Sequence, residues 1–326
     1  MLKKQPIDCV LAVTYLCNSK CVMCDIWKNQ DNTMLSPEKF LELPSSLKYI
    51  NVSGGEPFLR NDIVEVVANI KKATPKAKIV ISSNGFLTDR IIEKMKQMPE
   101  GVGVALSLDG IGEMHDKIRG IPNGFNMTIK TLEELKKIGI KNLRLAFTVS
   151  TINVQDLSKV YDLAEKHGVE LTLAFAQSSE FYFGGKENFA NPDPKILKEQ
   201  FDYIIKSELK KSKPKRWLRA YFAYGLYNFA KNNNQLLHSE AGTDYFFLDP
   251  FGKVFPSVIH NYVLGNVNEK KFSELWNSKK ADDARNKVKA SKKKAWMICT
   301  ARTAIIKHPF KVFLWILKNK INYSGQ

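Results

Sequence analysis

The feature that most restricts the fold of this sequence is an alternation of strand-like and helix-like segments along its first half. Short apolar runs rich in β-branched or large side chains predict six strands, over residues 9–14, 49–52, 79–82, 102–108, 143–149 and 171–176. Apolar residues at helical spacing predict helices between them, over residues 61–72, 125–138 and 156–167. Repeated strand–helix units of this kind indicate a parallel sheet with right-handed crossovers.

Six units are too few to close an eight-stranded barrel. The alternation therefore predicts an α/β fold built on an open, partial six-stranded (β/α) barrel. In such folds ligands bind at the carboxyl ends of the strands. After residue 176 the pattern changes to helical segments broken by prolines, then to a hairpin over residues 243–257.

Composition is that of an ordinary globular protein: 326 residues, 44% hydrophobic and 25% charged. The first residues do not have the pattern of a signal peptide, and no run reaches the roughly 18 consecutive apolar residues of a membrane span. These features predict a cytoplasmic protein. The formal net charge of +17 favours an anionic partner or a solvated lysine-rich surface, and it selects neither.

Three of the five cysteines, Cys17, Cys21 and Cys24, lie close together directly after the first predicted strand. Clustered thiols in a reducing compartment indicate metal binding rather than disulfides. Three thiolates on one loop can hold three irons of a cluster and leave the fourth iron open to a chelating ligand. A zinc site is the alternative. Zinc is bound by four protein ligands, or by three and a water, and Asp25 is the only donor near the three cysteines in the sequence besides the thiols themselves.

Polar and glycine-containing motifs follow the next three strands: SGGEP at 53–57, SSNG at 82–85 and SLDG at 107–110. The last is followed by His115-Asp116 and Arg119-Gly120. Each motif alone is typical of a turn. With the cysteine spacing they resemble the radical S-adenosylmethionine (SAM) superfamily, in their order and in their places at strand ends. Met23 departs from that family, which usually has an aromatic residue before the third cysteine.

The resemblance implies a cofactor pair: one 4Fe–4S cluster held by Cys17, Cys21 and Cys24, and SAM bound to the open iron. Reductive cleavage of SAM would give a 5′-deoxyadenosyl radical that removes hydrogen from a substrate. It further implies SAM contacts from the strand ends: Gly54, Gly55 and Glu56 near the amino group, Ser83, Asn84, Ser107 and Asp109 near the ribose, Arg119 at the carboxylate, and Thr148 beside the adenosine. His115 is interpreted as structural.

The C-terminal region resembles a SPASM or twitch extension, through residues 241–257, LGNV at 264–267 and FSELW at 272–276. That family holds auxiliary clusters through cysteines, but this chain has Ser239, Ser257 and Ala295 near those places, and only Cys299 remains. Natural loss, engineered replacement, or compensation by His238 or His260 would each explain this. The predicted division is a barrel over 1–190, a helical connection over 191–235, a degenerate extension over 236–300 and a basic tail over 301–326.

The tail is amphipathic at helical period over residues 304–321, with Pro309 near a helix start. Its apolar positions are Ile306, Phe310, Phe313, Leu314, Leu317 and Ile321, and its lysines Lys307, Lys311 and Lys318 lie on another side. This pattern fits a membrane-surface helix, peripheral to the inner face of the membrane, or a helix packed on its own barrel.

The sequence therefore predicts a radical SAM enzyme that takes electrons from a reductant such as flavodoxin or ferredoxin. Its substrate is unidentified. The basic segment 210–219 suggests an anionic sugar, nucleotide or lipid-linked compound, or is the ordinary start of a helix. A peptide- or protein-modifying maturase is an alternative. A catalytically idle cluster-binding scaffold and a zinc-dependent nucleic-acid binder are alternatives of other classes, with nucleic acid the disfavoured partner.

Overall fold

A computed structural model describes residues 4–188, 191–238 and 240–324 of the chain. A single nine-stranded sheet runs through it, in the order β6-β5-β4-β3-β2-β1-β7-β8-β9. Its strands are β1 Asp8–Thr14, β2 Tyr49–Gly54, β3 Lys78–Ser83, β4 Gly103–Ser107, β5 Leu143–Val149, β6 Glu170–Phe175, β7 Tyr245–Leu248, β8 Lys253–Phe255 and β9 Gly265–Asn266. The first six strands are parallel, which confirms the predicted α/β fold with an open barrel.

The α-helices lie between and after these strands. They are α1 Ile63–Ala73, α2 Thr88–Lys96, α3 Glu113–Arg119, α4 Gly124–Lys137, α5 Leu157–Lys166, α6 Pro194–Lys210, α7 Pro214–Asn232, α8 Phe272–Trp276, α9 Lys279–Ala290, α10 Ile298–Lys307 and α11 Pro309–Ser324. The three helices predicted between the strands are present as α1, α4 and α5, within a few residues of the predicted bounds.

The first strand of the sheet is buried on both of its faces. Every residue of β1 is buried, with Cys9, Leu11 and Val13 in one apolar cluster and Val10 and Ala12 in another. A strand covered on both faces reads as a continuous apolar run, because side chains that point to opposite faces both enter a core. This is why β1 was recognisable in the sequence although it lacks alternation.

The sheet does not stop at the sixth strand. β7 pairs in parallel with β1, with Cys9 opposite Phe246 and Leu11 opposite Leu248. β8 then pairs antiparallel with β7, and β9 pairs antiparallel with β8, so both strands extend the same sheet. The predicted hairpin is therefore present, but it continues the barrel sheet at its first strand, a long-range pairing that sequence periodicity does not reveal.

The basic segment at the junction of α6 and α7 is largely neutralised. Arg216 and Arg219 each place a guanidinium nitrogen 3.0 Å from a carboxylate oxygen of the buried Glu208. Lys211 pairs with Glu165 at 3.0 Å. These cations connect α5, α6 and α7 through ion pairs. The structure therefore favours the interpretation of segment 210–219 as the ordinary start of a helix over its interpretation as the border of a site for an anionic substrate.

The tail forms two helices rather than one. α10 ends at Lys307, and Pro309 is the first residue of α11, as predicted for a proline near a helix start. Val312 and Ile316 of α11 are buried, and Trp315 stacks on Tyr224 of α7 with ring centroids 4.8 Å apart. None of the helices in the described residues is both long and apolar enough to cross a membrane.

Packing between α7 and the segment before α10 depends on a glycine. Trp296 is fully buried, donates from Nε1 to the Phe222 carbonyl at 2.9 Å, and stacks on the Phe222 ring. A Cβ at Gly225 would lie 2.2 Å from Trp296 Cε2.

We therefore expect Gly225→Ala to lower the free energy of unfolding by about 1–3 kcal/mol, although alanine is the better helix former. Urea denaturation followed by circular dichroism measures the change. Trp296→Phe removes the indole atoms that would lie nearest to a Cβ at residue 225. In that background Gly225→Ala should therefore lower the free energy of unfolding by much less. Equal losses in both backgrounds would contradict this packing.

Candidate active site

The cysteine loop leaves the carboxyl end of β1, which lies between β2 and β7 in the sheet. Because β1 to β6 are parallel, their carboxyl ends share one edge of the sheet. All the predicted site residues lie on this edge or on the segments directly after it: Cys17, Cys21, Cys24, Gly54, Gly55, Glu56, Ser83, Asn84, Ser107, Asp109, Arg119 and Thr148.

The glycine pair after β2 allows a very close approach to the start of the cysteine loop. Gly55 donates its N–H to the Thr14 carbonyl at 2.8 Å, and Glu56 donates to the Leu16 carbonyl at 2.8 Å. A Cβ at Gly54 or Gly55 would lie 2.1 Å from a backbone oxygen of that segment. In this structure the pair therefore positions the loop that carries the cysteines.

Glu56 is completely buried and joins the ends of β2 and β3. Its Oε1 accepts from Phe58 N at 3.1 Å and Ser83 Oγ at 3.0 Å, and its Oε2 accepts from Asn84 N at 2.8 Å. Burial raises the pKa of Glu56 to about 7, against the lowering effect of these donors. Asn84 continues the connection, since its Nδ2 donates to Asn18 Oδ1 at 2.7 Å in the cysteine loop.

A buried ion pair connects the fourth strand with the cysteines. Arg119, at the end of α3, pairs through Nη2 with Asp109 Oδ2, while its Nη1 lies 3.7 Å from Cys21 Sγ. Asp109 Oδ1 accepts from Thr148 N at 2.6 Å. Arg119, predicted to bind SAM's carboxylate, is thus already engaged with the protein, and its Nε is the nitrogen left without an acceptor.

His115 has a structural position, as predicted. Its Nδ1 accepts from Asp109 N at 3.1 Å, and its ring makes edge contacts with Phe86 and Phe125. Burial lowers the pKa of His115 to about 3, which keeps the ring neutral. Asn153 adds to the same corner by donating to the Asp109 carbonyl at 2.9 Å and the Thr148 carbonyl at 3.0 Å.

The three thiols of the loop lie close enough together to affect one another electrostatically. Burial raises the pKa of Cys17 to about 12, and negative charge on Cys21 and Cys24 contributes in the same direction. Burial likewise raises the pKa of Cys24 to about 11; negative charge on Cys21 also raises this pKa, and Arg119 lowers it. Ser19 Oγ lies 3.1 Å from Cys21 Sγ and donates to the Arg119 carbonyl at 2.8 Å, so the loop is held against the end of α3.

Residues 177–188, after β6, cover this loop, and sequence reasoning did not predict them as part of the site. Tyr182 is buried with its hydroxyl 3.0 Å from Ser53 Oγ, and Phe183 accepts from Asp25 N at 3.0 Å. Asn188 Nδ2 donates to the carbonyls of Met23 and Gln177, both at 3.0 Å. The aromatic run followed by two glycines at 181–185, a few residues beyond the end of β6, was the available signal.

Comparison with known proteins agrees with this geometry. Residues 11–164 match the model of the radical SAM superfamily, and residues 240–301 match SPASM, an iron–sulfur cluster-binding domain. The chain belongs to the radical SAM superfamily. Within it, the chain is 36% identical over 174 residues to a Fe-coproporphyrin III synthase of Methanosarcina barkeri, a match that covers 51% of this chain and 42% of that relative.

A second relative is a probable GTP 3′,8-cyclase of Methanococcus aeolicus, 29% identical over 223 residues, with 65% of this chain and 69% of the relative covered. Among solved structures, Streptococcus suis SuiB bound to S-adenosylmethionine has a TM-score of 0.66 at 15% identity, covering 88% of this chain and 68% of SuiB. The structure of anSMEcpe with bound AdoMet and a peptide has a TM-score of 0.61 at 18% identity, and the match covers 97% of this chain and 99% of anSMEcpe. These two likenesses show the shared radical SAM fold.

The radical SAM family uses a 4Fe–4S cluster and SAM, and the residues of this edge fit both. The three clustered thiols suit a cluster, because each would supply one ligand to one of three irons. Two buried donors, Arg119 Nε and Gln177 Nε2, lack acceptors within the described residues and suit oxygens of a bound ligand. Across those residues no group of His, Cys, Asp and Glu is arranged to hold a single metal ion.

The SPASM region does not fit an auxiliary cluster. Ser257 occupies one expected cysteine position and its Oγ lies 2.8 Å from His260 Nδ1. Ala295 and Cys299 are buried in an apolar cluster with Phe255, on which Phe181 stacks at 4.3 Å. One thiolate cannot hold a cubane in the usual way. His238 is exposed, and Ser239 lies outside the described residues.

We therefore expect the anaerobically reconstituted protein to hold about four irons per chain, the content of one cluster. Iron and acid-labile sulfide analysis measures this. Cys17→Ala should remove most of the iron, while Cys299→Ala, which alters a buried thiol of the SPASM region, should leave it. A content of about eight irons would show that the SPASM region binds a cluster.

A second expectation concerns Glu56, whose two oxygens both act as acceptors. Glu56→Gln would place an amide N–H₂ against a buried donor, so we expect it to lower the free energy of unfolding by about 1–3 kcal/mol. Urea denaturation of the cluster-free protein measures the loss. Glu93→Gln, at a carboxylate that is 64% exposed, is the control, and an equal loss there would refute the assigned role.

Proposed function

We propose that this radical SAM chain is an enzyme that removes a hydrogen atom from its substrate. The observation that carries the proposal is the cysteine loop, whose three thiols lie together at the carboxyl edge beside a buried guanidinium. When bound there, a 4Fe–4S cluster and SAM supply reductive cleavage to a 5′-deoxyadenosyl radical, with an electron from flavodoxin or ferredoxin.

The chain's own residues prepare this edge for ligands. Arg119 places a permanent positive charge beside Cys21, with Nη1 3.7 Å from its Sγ. Asp109 fixes the guanidinium in place, so that its remaining Nε is the donor we assign to SAM's carboxylate. Tyr182 and the rest of residues 177–188 reduce access of water to the loop. The strand-end residues assigned to SAM in addition are Gly54, Gly55, Glu56, Ser83, Asn84, Ser107, Asp109 and Thr148.

For the substrate, we favour an anionic compound over a peptide. Lys20 and Lys28 lie over the Trp27 ring at 5.7 and 5.5 Å beside the cysteine loop, and Lys186 approaches from the covering segment. Asp25 pairs with two of these cations, Lys28 at 3.0 Å and Lys186 at 4.0 Å. A surface beside an active site that carries more positive than negative charge attracts anions. The name of the GTP 3′,8-cyclase relative is consistent with a nucleotide, and the SuiB structure with a precursor peptide motivates the alternative.

The test is SAM cleavage under anaerobic conditions with dithionite as reductant. We expect the reconstituted protein to form 5′-deoxyadenosine, measured by chromatography, and Cys21→Ala to form only background amounts because two thiolates do not retain the cluster. Cys299→Ala removes a thiol outside the loop and should keep the activity. Absence of 5′-deoxyadenosine from a protein that contains the cluster would instead support the idle scaffold.

The same assay addresses the substrate class. A true substrate accelerates SAM cleavage, because its binding completes the active site. Nucleotide sugars and other anionic sugars should stimulate formation of 5′-deoxyadenosine, whereas peptides should not. Stimulation by peptides alone would replace the anionic proposal with that of a peptide maturase.

A further inference from the structure

The outer face of α11 carries a continuous row of exposed apolar side chains. Phe310 is 73% exposed and Ile321 is 65% exposed, which is unusual for side chains of this size. The row, here called the apolar stripe, also continues to the last turn of α10. Its members are Ile306, Phe310, Phe313, Leu314, Leu317 and Ile321. Spacings of three and four residues place those of α11 on one side of the helix.

The stripe is not the result of a loosely placed helix. The opposite side of α11 is packed, with Val312 2% and Ile316 7% exposed. Trp315 lies between two aromatic rings of α7, in an edge contact with Tyr221 and a stacked contact with Tyr224. α11 therefore already has its buried face, and the stripe is a second apolar face that nothing in the described residues covers.

The charged residues of α11 itself are all lysines. Lys311 and Lys318 are exposed and lie one helical turn from Leu314, on opposite sides of it along the axis. Lys311 Nζ donates to the Leu236 carbonyl at 3.2 Å and keeps its positive charge. From residue 286 to the end the sequence has no Asp or Glu, while five further lysines lie between residues 287 and 294.

We propose that α11 lies on the surface of an anionic phospholipid bilayer. The apolar stripe enters the boundary between headgroups and acyl chains, and Lys311 and Lys318 contact lipid phosphates. An apolar side bordered by lysines on a helix parallel to the surface is the arrangement that binds such interfaces. Each lysine near an anionic surface strengthens binding, and this attraction falls with salt.

A second copy of the chain would fit against the apolar stripe less well than an anionic bilayer does. In a twofold dimer the same surface meets itself, so Lys311 and Lys318 would approach the equivalent lysines of the other copy. The tail offers no carboxylate to pair with them. Lipid phosphates supply the missing negative charge, and the bilayer accepts a row of large apolar side chains without a matching groove.

The experiment is vesicle flotation of the full chain at low salt. Vesicles of phosphatidylcholine with phosphatidylglycerol are compared with vesicles of phosphatidylcholine alone. We expect the chain to float with the anionic vesicles, and Phe313→Glu to reduce the bound fraction about tenfold, as loss of a large apolar contact implies. Lys318→Gln should weaken binding about fivefold, the effect of one lysine near the surface.

Leu41→Glu is the matched control, because it introduces the same charge at a partly exposed leucine far along the chain, and it should float like the unaltered protein. Circular dichroism verifies that each variant is folded. Failure of the unaltered chain to float with anionic vesicles would overturn the proposal. Unchanged flotation of Phe313→Glu would do the same, as would a lipid-free dimer that Phe313→Glu dissociates.

Discussion

The parallel pairing of β1 with two neighbours is the constraint on which the rest of this structure depends. β2 pairs with β1 on one side and β7 on the other, so a single strand joins the barrel to the SPASM region. The same strand delivers the cysteine loop to the carboxyl edge. Because parallel strands end at the same edge, each of the strands β2 to β6 brings the segment that follows it towards that loop.

At that edge, the motif residues form hydrogen bonds and an ion pair with one another in the absence of any ligand. Glu56 is saturated by three donors, and the Asp109–Arg119 pair is enclosed between Thr148 and Cys21. Buried polar groups must be satisfied internally, so an arrangement of this kind is rigid without its ligands. Preorganisation of this kind suits the radical SAM chemistry that we propose, since a loop fixed in advance loses less entropy when cofactors bind.

The SPASM region matches its family model over residues 240–301, and its interior around Cys299 is apolar. Aromatic rings and small side chains fill the interior around Cys299, where the family model describes an iron–sulfur cluster domain. Apolar packing there holds the hairpin and α10 in place through area buried rather than through metal ligands. The tail that follows packs one face on α7 and leaves the other exposed, which makes it the part of the molecule best suited to contact something outside the chain.

The sequence by itself determined the elements and the chemistry of the loop. Strands buried on both faces are apolar throughout, helices have a period of 3.6, and the spacing of Cys17, Cys21 and Cys24 is local, so all of these are visible in short windows. The tertiary structure alone decided what residues distant in sequence do to each other. It placed β7 against β1, engaged Arg119 with Asp109, turned Glu56 into a connector of strand ends, and brought residues 177–188 over the loop. Those contacts join segments separated by tens to hundreds of residues, and no local pattern encodes which partner a buried polar group will find.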